Sequence, residues 1–330
     1  MLRRVGIVLA LLTVVSLVQF TPRASAATSA AVQISGLDAH DGMVVKYGSK
    51  FYLYGTRYGC GFKWMSPSPW CGFDVWTAST RDGPWTFVRK LFLPSSMDAW
   101  AGMTWQQVCG DSGRGCFNPR MVRRTDGVWI LSFNAPYDYQ RTRANPYYFM
   151  GCAGPAGPCG PGAGPYGSLH KPRLWSCYGT GDFSIFVDQG VAYMACTMWD
   201  LTLSMERLDY SWTNGVQGQG QQHVAGVTNV ESPGLVKVDS RYVLTYSLPN
   251  CGFCVAGTGW ATSSTPMGSY TVRQPASSQS TCGGQPRTAF YLGDHAYQWI
   301  DQWSDSWNQA KAAVVLSRIS FTPKLRMPCP

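Results

Sequence analysis

Helical periodicity is nearly absent from this 330-residue chain, which argues against helix bundles and doubly wound α/β folds. Runs of lysine and arginine are also missing. The cations are scattered, with Arg123-Arg124 and the Arg141/Arg143 pair among the few small groupings, so nothing points to a nucleic-acid partner. After residue 26 no apolar stretch is long enough to cross a bilayer, and no membrane partner is expected. Cys251-Gly-Phe-Cys254 has the spacing of half a zinc site or a redox pair, but a second CxxC and a nearby histidine pair are both lacking.

What is present begins with an export signature. Arg3 and Arg4 precede the apolar run 5–18, and Ala24-Ser25-Ala26 is a small-x-small cleavage site, so residues 1–26 are expected to be a secretory signal and the protein to be extracellular. Residues 27–36 are then a short N-terminal segment ahead of one domain, 37–330. Loss of Arg3, Arg4 and Arg23 lowers the formal charge from +9 to +6, a mildly basic value that fits solubility or attraction to an acidic polysaccharide or anionic cell surface. Twelve cysteines in an exported chain suggest disulfides. Cys60 with Cys71, Cys109 with Cys116, and Cys152 with Cys159 are the local pairs, and Cys329 can staple the chain end to the body.

Gly, Pro, Ser and aromatic residues dominate, and one unit recurs five times. Residues 42–57 read GMVVKYGSKFYLYGTR, 119–135 PRMVRRTDGVWILSFNA, 183–197 FSIFVDQGVAYMACT, 233–248 PGLVKVDSRYVLTYSL, and 288–303 TAFYLGDHAYQWIDQW. Each is an apolar strand, a short turn and a second strand rich in aromatic and β-branched residues. Outer strands follow at 73–80 with 83–87, and at 259–263 with 267–272. Five such hairpins predict an all-β fold, a five-bladed β-propeller of four-stranded antiparallel blades around a central channel. Two insertions interrupt the rhythm: 63–70, rich in Trp, Pro and Ser, and the low-complexity loop 151–165.

Asp41, Asp182 and Glu231 stand just before three of these units. Around one axis, the starts of the inner strands point into the mouth of the channel, so the three acids converge there. Cleavage of a glycosidic bond needs such a set: one carboxyl group protonated to donate to the leaving oxygen, another ionised to activate water, and a third able to raise the donor's pKa. The bland alternative for each is a turn or strand cap, weakest for Glu231, since Glu is a poor turn former.

Three motifs carry a resemblance. Asp41-Gly-Met-Val-Val-Lys-Tyr-Gly before Phe51-Tyr-Leu-Tyr, Asp182-Phe-Ser-Ile-Phe-Val-Asp188, and Glu231-Ser-Pro-Gly-Leu-Val-Lys before Arg241-Tyr-Val-Leu-Thr-Tyr-Ser247 resemble the first, third and fourth blades of glycoside hydrolase family 43. The resemblance implies an inverting glycosidase with Asp41 as general base, Asp182 as pKa modulator and Glu231 as general acid. Asp38 rivals Asp41. The Ala39-His40 pair is similar to the exo-galactanase-like branch, where the base position can be vacant and a Gln in a Ser-Gln-Ser-Thr segment lies near the sugar; Gln279 stands in such a segment here. His40 is either a ligand of a sugar hydroxyl or a packed, hydrogen-bonded histidine. Many family members carry a His before the last repeat, near a central metal. The comparable residues here, 283–287 (GGQPR), contain none, so no cofactor is expected, a channel calcium lacks support, and Gln285 and Arg287 become candidate substrate contacts, together with Asn118.

Fourteen tryptophans offer flat platforms for sugar rings. Trp64, Trp70, Trp100 and Trp105 lie in insertions and are the candidates; Trp129, Trp299 and Trp303 fit blade packing. The expected protein is thus a secreted, monomeric glycosidase acting on arabinose-, xylose- or galactose-containing polysaccharide. The alternatives are a non-catalytic carbohydrate-binding propeller, a retaining sucrase-like enzyme and a structural adhesin.

Overall fold

The structure, a computed structural model, describes residues 29–63, 66–91, 106–110, 114–137, 145–160, 162–163, 170–179, 181–248, 255–273, 275–276, 280–303, 309–321 and 324–330. Five antiparallel sheets form its body. Blade one comprises His40–Tyr47, Lys50–Thr56, Phe73–Ala78 and Thr86–Lys90. Blade two comprises Phe117–Arg123, Trp129–Asn134 and Tyr147–Cys152. Blade three runs through Phe183–Asp188, Val191–Thr197, Leu203–Leu208 and Gly215–Gln221, and blade four through Glu231–Val238, Arg241–Leu248, Gly257–Ser263 and Thr271–Val272. Blade five has Gln285–Leu292, His295–Gln302 and Ala313–Arg318. The first strands of the five blades are neighbours in a closed cycle, which makes them the inner wall of a five-bladed propeller.

Two details differ from the expectation. The segment 27–36, set apart from the propeller by its sequence, contributes the strand Ala31–Ile34, which pairs antiparallel with Ala313–Arg318 as the outermost strand of blade five. Blade two holds three strands among the described residues, and a single bridge from Phe149 to His170 lies where a fourth would start.

The inner strands are buried over most of their length, polar at their first residues and mainly apolar in their middle, because each is covered by two adjacent blades. Aromatic residues fill the wedges between blades: Phe73 meets Phe133 at 5.3 Å and Phe133 stacks on Tyr148 at 5.7 Å. Trp129 and Trp299 are buried packing residues, as expected. The three local disulfides form, and Cys282–Cys329 fastens the C-terminal segment to blade five. A fifth bridge, Cys177–Cys196, holds the segment that leads to Asp182. Buried Glu206 steadies the same segment by accepting backbone N–H bonds from Trp175, Ser176 and Cys177 at 2.8, 3.0 and 2.9 Å. Cys251 and Cys254 lie outside the described residues.

Candidate active site

Four inner strands shift register at their first residues: between His40 and Met43, Phe117 and Arg120, Glu231 and Gly234, and Pro286 and Ala289. Such bulges free one residue from the ladder and re-aim its side chain. Asp41, Asn118 and Ser232 occupy them with φ of 46°, 59° and 56°, left-handed backbone that residues other than glycine seldom adopt. The sequence carries a mark of this in Asp41-Gly42, Asn118-Pro119, Ser232-Pro233 and Gln285-Pro286. Proline has no N–H to leave unpaired at a bulge. Gly42 is required for another reason: a Cβ there would lie 1.7 Å from the Tyr54 carbonyl oxygen.

The bulges bring four blades to one polar centre built on Arg287. Its Nη2 donates to Asn118 Oδ1 and Asp182 Oδ1, both at 2.9 Å, and its Nη1 to Gln285 Oε1 at 3.0 Å. Asp182 also accepts Asn118 Nδ2 at 2.7 Å and the Ser232 hydroxyl. Burial would weaken the Arg287 charge, but Asp182, Asp41, Asp301 and Glu231 outweigh it and hold its pKa above the ordinary arginine value. Gln285 Nε2 donates to Glu231 Oε1 at 2.5 Å, and Gln285 Oε1 accepts the Trp303 indole N–H at 3.0 Å. Glu231 is half-buried. Burial first, then the negative charge of Asp182, pushes its carboxyl up to about 7, while Arg287 and Gln285 pull it down.

Asp41 is 1% exposed. Its Oδ1 accepts Thr56 Oγ1 at 2.5 Å and the Asn118 backbone N–H at 3.1 Å, and its Oδ2 accepts the Tyr58 hydroxyl at 2.9 Å. Burial raises its pKa to about 6 with help from the Asp301 charge, against Arg287, Thr56 and Arg120. Asp301 holds the same turn from below, accepting the Asp41 N–H at 2.9 Å. Arg120, stacked on Phe183, donates to the Asp41 carbonyl oxygen at 2.6 Å and to Asn118 Oδ1 at 3.2 Å.

All three predicted acids, with Asn118, Gln285 and Arg287, therefore meet in one network. His40 does not join its open face. It is fully buried, with Nδ1 3.5 Å from Asp301 and Nε2 3.5 Å from Asp38, so it is the packed histidine of the two alternatives. Burial opposes its charge, but the two carboxylates raise its pKa to about 9. Asp38 accepts the backbone N–H groups of Tyr58 and Gly59 at 2.9 and 2.7 Å. Trp70 is buried, its indole N–H on the Cys116 carbonyl oxygen at 2.9 Å, and is no platform. Trp303, half-buried, packs as expected, against Tyr58, Phe62 and Phe117 with its ring 5.5 Å from His40 and 6.1 Å from Tyr58, and its indole N–H on Gln285 joins that packing to the centre. Trp64, Trp100, Trp105 and Gln279 lie outside the described residues.

Sequence reasoning passed over Arg120, Asp301, Tyr58, Thr56, Ser232 and Trp303. The X-Pro and Asp-Gly dipeptides could have located Ser232. Asp301 carries no such mark, because it sits inside a second strand, Ile300-Asp301-Gln302, where nothing local tells which face it takes. Chemically, the centre pairs a carboxyl group whose pKa is raised to about 7, Glu231, with a second, ion-paired carboxylate, Asp182, the two being linked through Gln285 and Arg287. A third carboxylate stands behind them.

No protein-family model matches the sequence, and no curated protein matches it. The fold does have solved counterparts. An exo-β-1,3-galactanase from Phanerochaete chrysosporium, determined with β-1,3-galactotriose, superposes with a TM-score of 0.69 at 17% identity, covering 90% of this chain and 66% of that one. A β-1,3-galactosidase of glycoside hydrolase family 43 gives 0.69 at 16% identity over 89% and 62%. An endo-1,4-β-xylanase from Bacteroides thetaiotaomicron gives 0.62 at 18% over 89% and 95%. The chain spans slightly under two thirds of the length of the first two. At these identities the likeness shows the fold, and it falls among the structures that the sequence resemblance names.

Proposed function

We propose that the protein is an extracellular glycosidase that hydrolyses galactose-, xylose- or arabinose-containing polysaccharide with inversion at the anomeric carbon. The observation that carries this reading is Glu231: a half-buried carboxyl group with a pKa of about 7, fixed by Gln285 at the meeting point of the inner strands. Such a group is protonated on a useful fraction of molecules at neutral pH. Neighbours solved with or named for galactan and xylan support the substrate class. The five disulfides among the described residues fit an oxidising compartment.

In the proposed reaction Glu231 gives its proton to the glycosidic oxygen as the bond to the anomeric carbon breaks. Water attacks that carbon from the opposite side and loses a proton to Asp41, whose Oδ2 takes one bond from Tyr58 and has acceptor capacity left. Inversion requires the two carboxyl groups to be far enough apart for that water to fit. Asp182 raises the pKa of Glu231 and, with Asn118 and Arg287, offers groups for sugar hydroxyls. Trp303 offers a ring face. The scheme is written without a metal, the charge of Asp182 being met by the Arg287 guanidinium. The closed disc is expected to act as a monomer.

Reducing-sugar release from galactans, xylans and arabinans, measured for the wild type beside Glu231→Gln, tests the reading. Activity on one polymer that falls at least about a hundredfold in the variant is expected, and NMR of the first product then reports its anomeric configuration. The sealed position of Asp41 favours, as a second reading, a propeller that binds such chains without cleaving them. Retained polysaccharide binding with no release by either protein would select it.

A further inference from the structure

Away from the centre, a cavity of about 550 Å³ opens between blade four and the C-terminal segment, with Arg241, Trp260, Arg273, Phe321 and Lys324 in its lining. Two more cavities continue it. One of about 410 Å³ shares Arg241 and Phe321 and reaches the Asp239-Ser240 turn. The other, about 480 Å³, shares Ala276 and Leu325 and reaches Thr281 and Cys282. Together they make a groove along the flank of blade four. It starts at the end of the inner strand remote from Glu231 and ends beside the Thr281–Gly284 bridge that precedes Gln285.

The groove has one sign of charge. Arg241, Arg273 and Lys324 are exposed, and among the described residues none of them is ion-paired. Arg241 lies over the Phe321 ring at 5.4 Å, and Arg273 spends only its Nε on Thr262, at 3.1 Å. The chain supplies little to balance them: no Asp or Glu occurs between Asp239 and Asp294, and none follows Asp305. Asp239, at the far end, is the one acid in the lining of the three cavities among the described residues. With exposed Arg326 in the lining of the third cavity, four cations around one concavity repel one another and attract a counter-charge. Guanidinium groups match a carboxylate with two parallel donors, and the Phe321 edge offers apolar contact to a sugar face. The volume is that of a ligand site of a few sugar units.

We infer that this groove binds a polysaccharide bearing uronic acid groups, holding the chain by its carboxylates while another stretch reaches Glu231. That the occupant is a saccharide rests on the glycosidase reading; the carboxylate requirement rests on the groove. The chain would therefore be retained most firmly where neutral backbone carries acidic branches.

Affinity electrophoresis through glucuronic-acid-substituted xylan tests this without turnover, using the wild type, Glu231→Gln and the triple variant Arg241→Gln/Arg273→Gln/Lys324→Gln. Binding by the triple variant should weaken about tenfold, as three exposed charge contacts allow. The same loss should appear for the wild type on the polymer after carboxyl reduction, while Glu231→Gln binds as the wild type does. Thermal unfolding and hydrolysis of neutral oligosaccharides by the triple variant should be unchanged. Should the triple variant misfold, Lys324→Gln alone, at an exposed position, must still weaken binding measurably. Equal retardation on native and reduced polymer overturns the inference. So does equal retardation by dextran sulfate, which would reduce the groove to general polyanion attraction. If binding depends on the carboxylates but the wild type cleaves nothing, the glycosidase reading falls and the groove stands. If the wild type cleaves but binding shows no carboxylate dependence, the groove falls and the glycosidase reading stands.

Discussion

Glu231 and Asp41 both stand at the opening of an inner strand, on blades four and one, yet their surroundings differ on nearly every count. Glu231 is half-buried and takes one side-chain bond from Gln285. Asp41 is sealed, with Thr56, Asn118 and Tyr58 on its carboxylate and Asp301 on its N–H. The strands that carry them differ less than the chain that follows. In blade one the end of the second strand and the residues after it supply Thr56 and Tyr58; in blade four the equivalent Ser247 turns its hydroxyl to the Pro286 carbonyl oxygen instead. Position in a repeat brings a residue to the centre, and neighbouring hydroxyls decide whether water can reach it.

The sharpest way to break the comparison is Asp41→Asn. If Asp41 is the base despite its burial, kcat/KM should fall by about two orders of magnitude or more, while the unfolding temperature moves little, because asparagine keeps an acceptor for Thr56. An activity close to wild type would make Asp41 a structural acid. Asp182→Asn comes next. Without its charge the Glu231 pKa should drop from about 7, so the alkaline limb of the pH–rate profile, which follows loss of the Glu231 proton, should move to lower pH, with a loss of roughly tenfold at neutrality.

A smaller effect is expected from Tyr58→Phe, which removes a donor that favours ionised Asp41. The acid limb, set in the wild type by a pKa of about 6, should rise by roughly half a unit to one unit, with little change on the alkaline side. A shift of the alkaline limb instead would place Tyr58 on Glu231. The least direct test is the pH dependence of stability. His40 at about 9, Glu231 at about 7 and Asp41 at about 6 all lie above their ordinary values, so the folded state binds more protons than the unfolded chain. Stability should therefore decline as pH rises from about 4 to 9. The His40 share is fully present below its ordinary value near 6.5 and is lost through 9. Chemical denaturation at pH 7 and pH 9 should show that decline in the wild type and a flatter one in His40→Gln.

Much of this architecture is legible because its signal is repeated. Five strand-turn-strand units with apolar first strands can hardly be read as anything but blades, and an acid just ahead of such a unit must approach the axis. The parts that escaped depend on pairing across hundreds of residues. His40 looks like a mouth residue until Asp301, from the far end of the chain, is seen beneath it. Trp303 reads as a packing tryptophan, which it is, but its indole bond to Gln285 depends on a partner 18 residues earlier that no local pattern marks. Ala31–Ile34 is too short and too ordinary to announce itself as the partner of a strand that ends at Arg318.

That last pairing constrains how the protein can be made. The earliest described strand waits unpaired while almost the whole chain is synthesised, and blade five has no outer edge until the segment ending at Arg318 has emerged. During that interval the ring is open and its strand edges are exposed to neighbours. Closure comes late in biosynthesis, and a chain cut short before Ala313 would lack the third strand of blade five and leave Ala31–Ile34 without its partner.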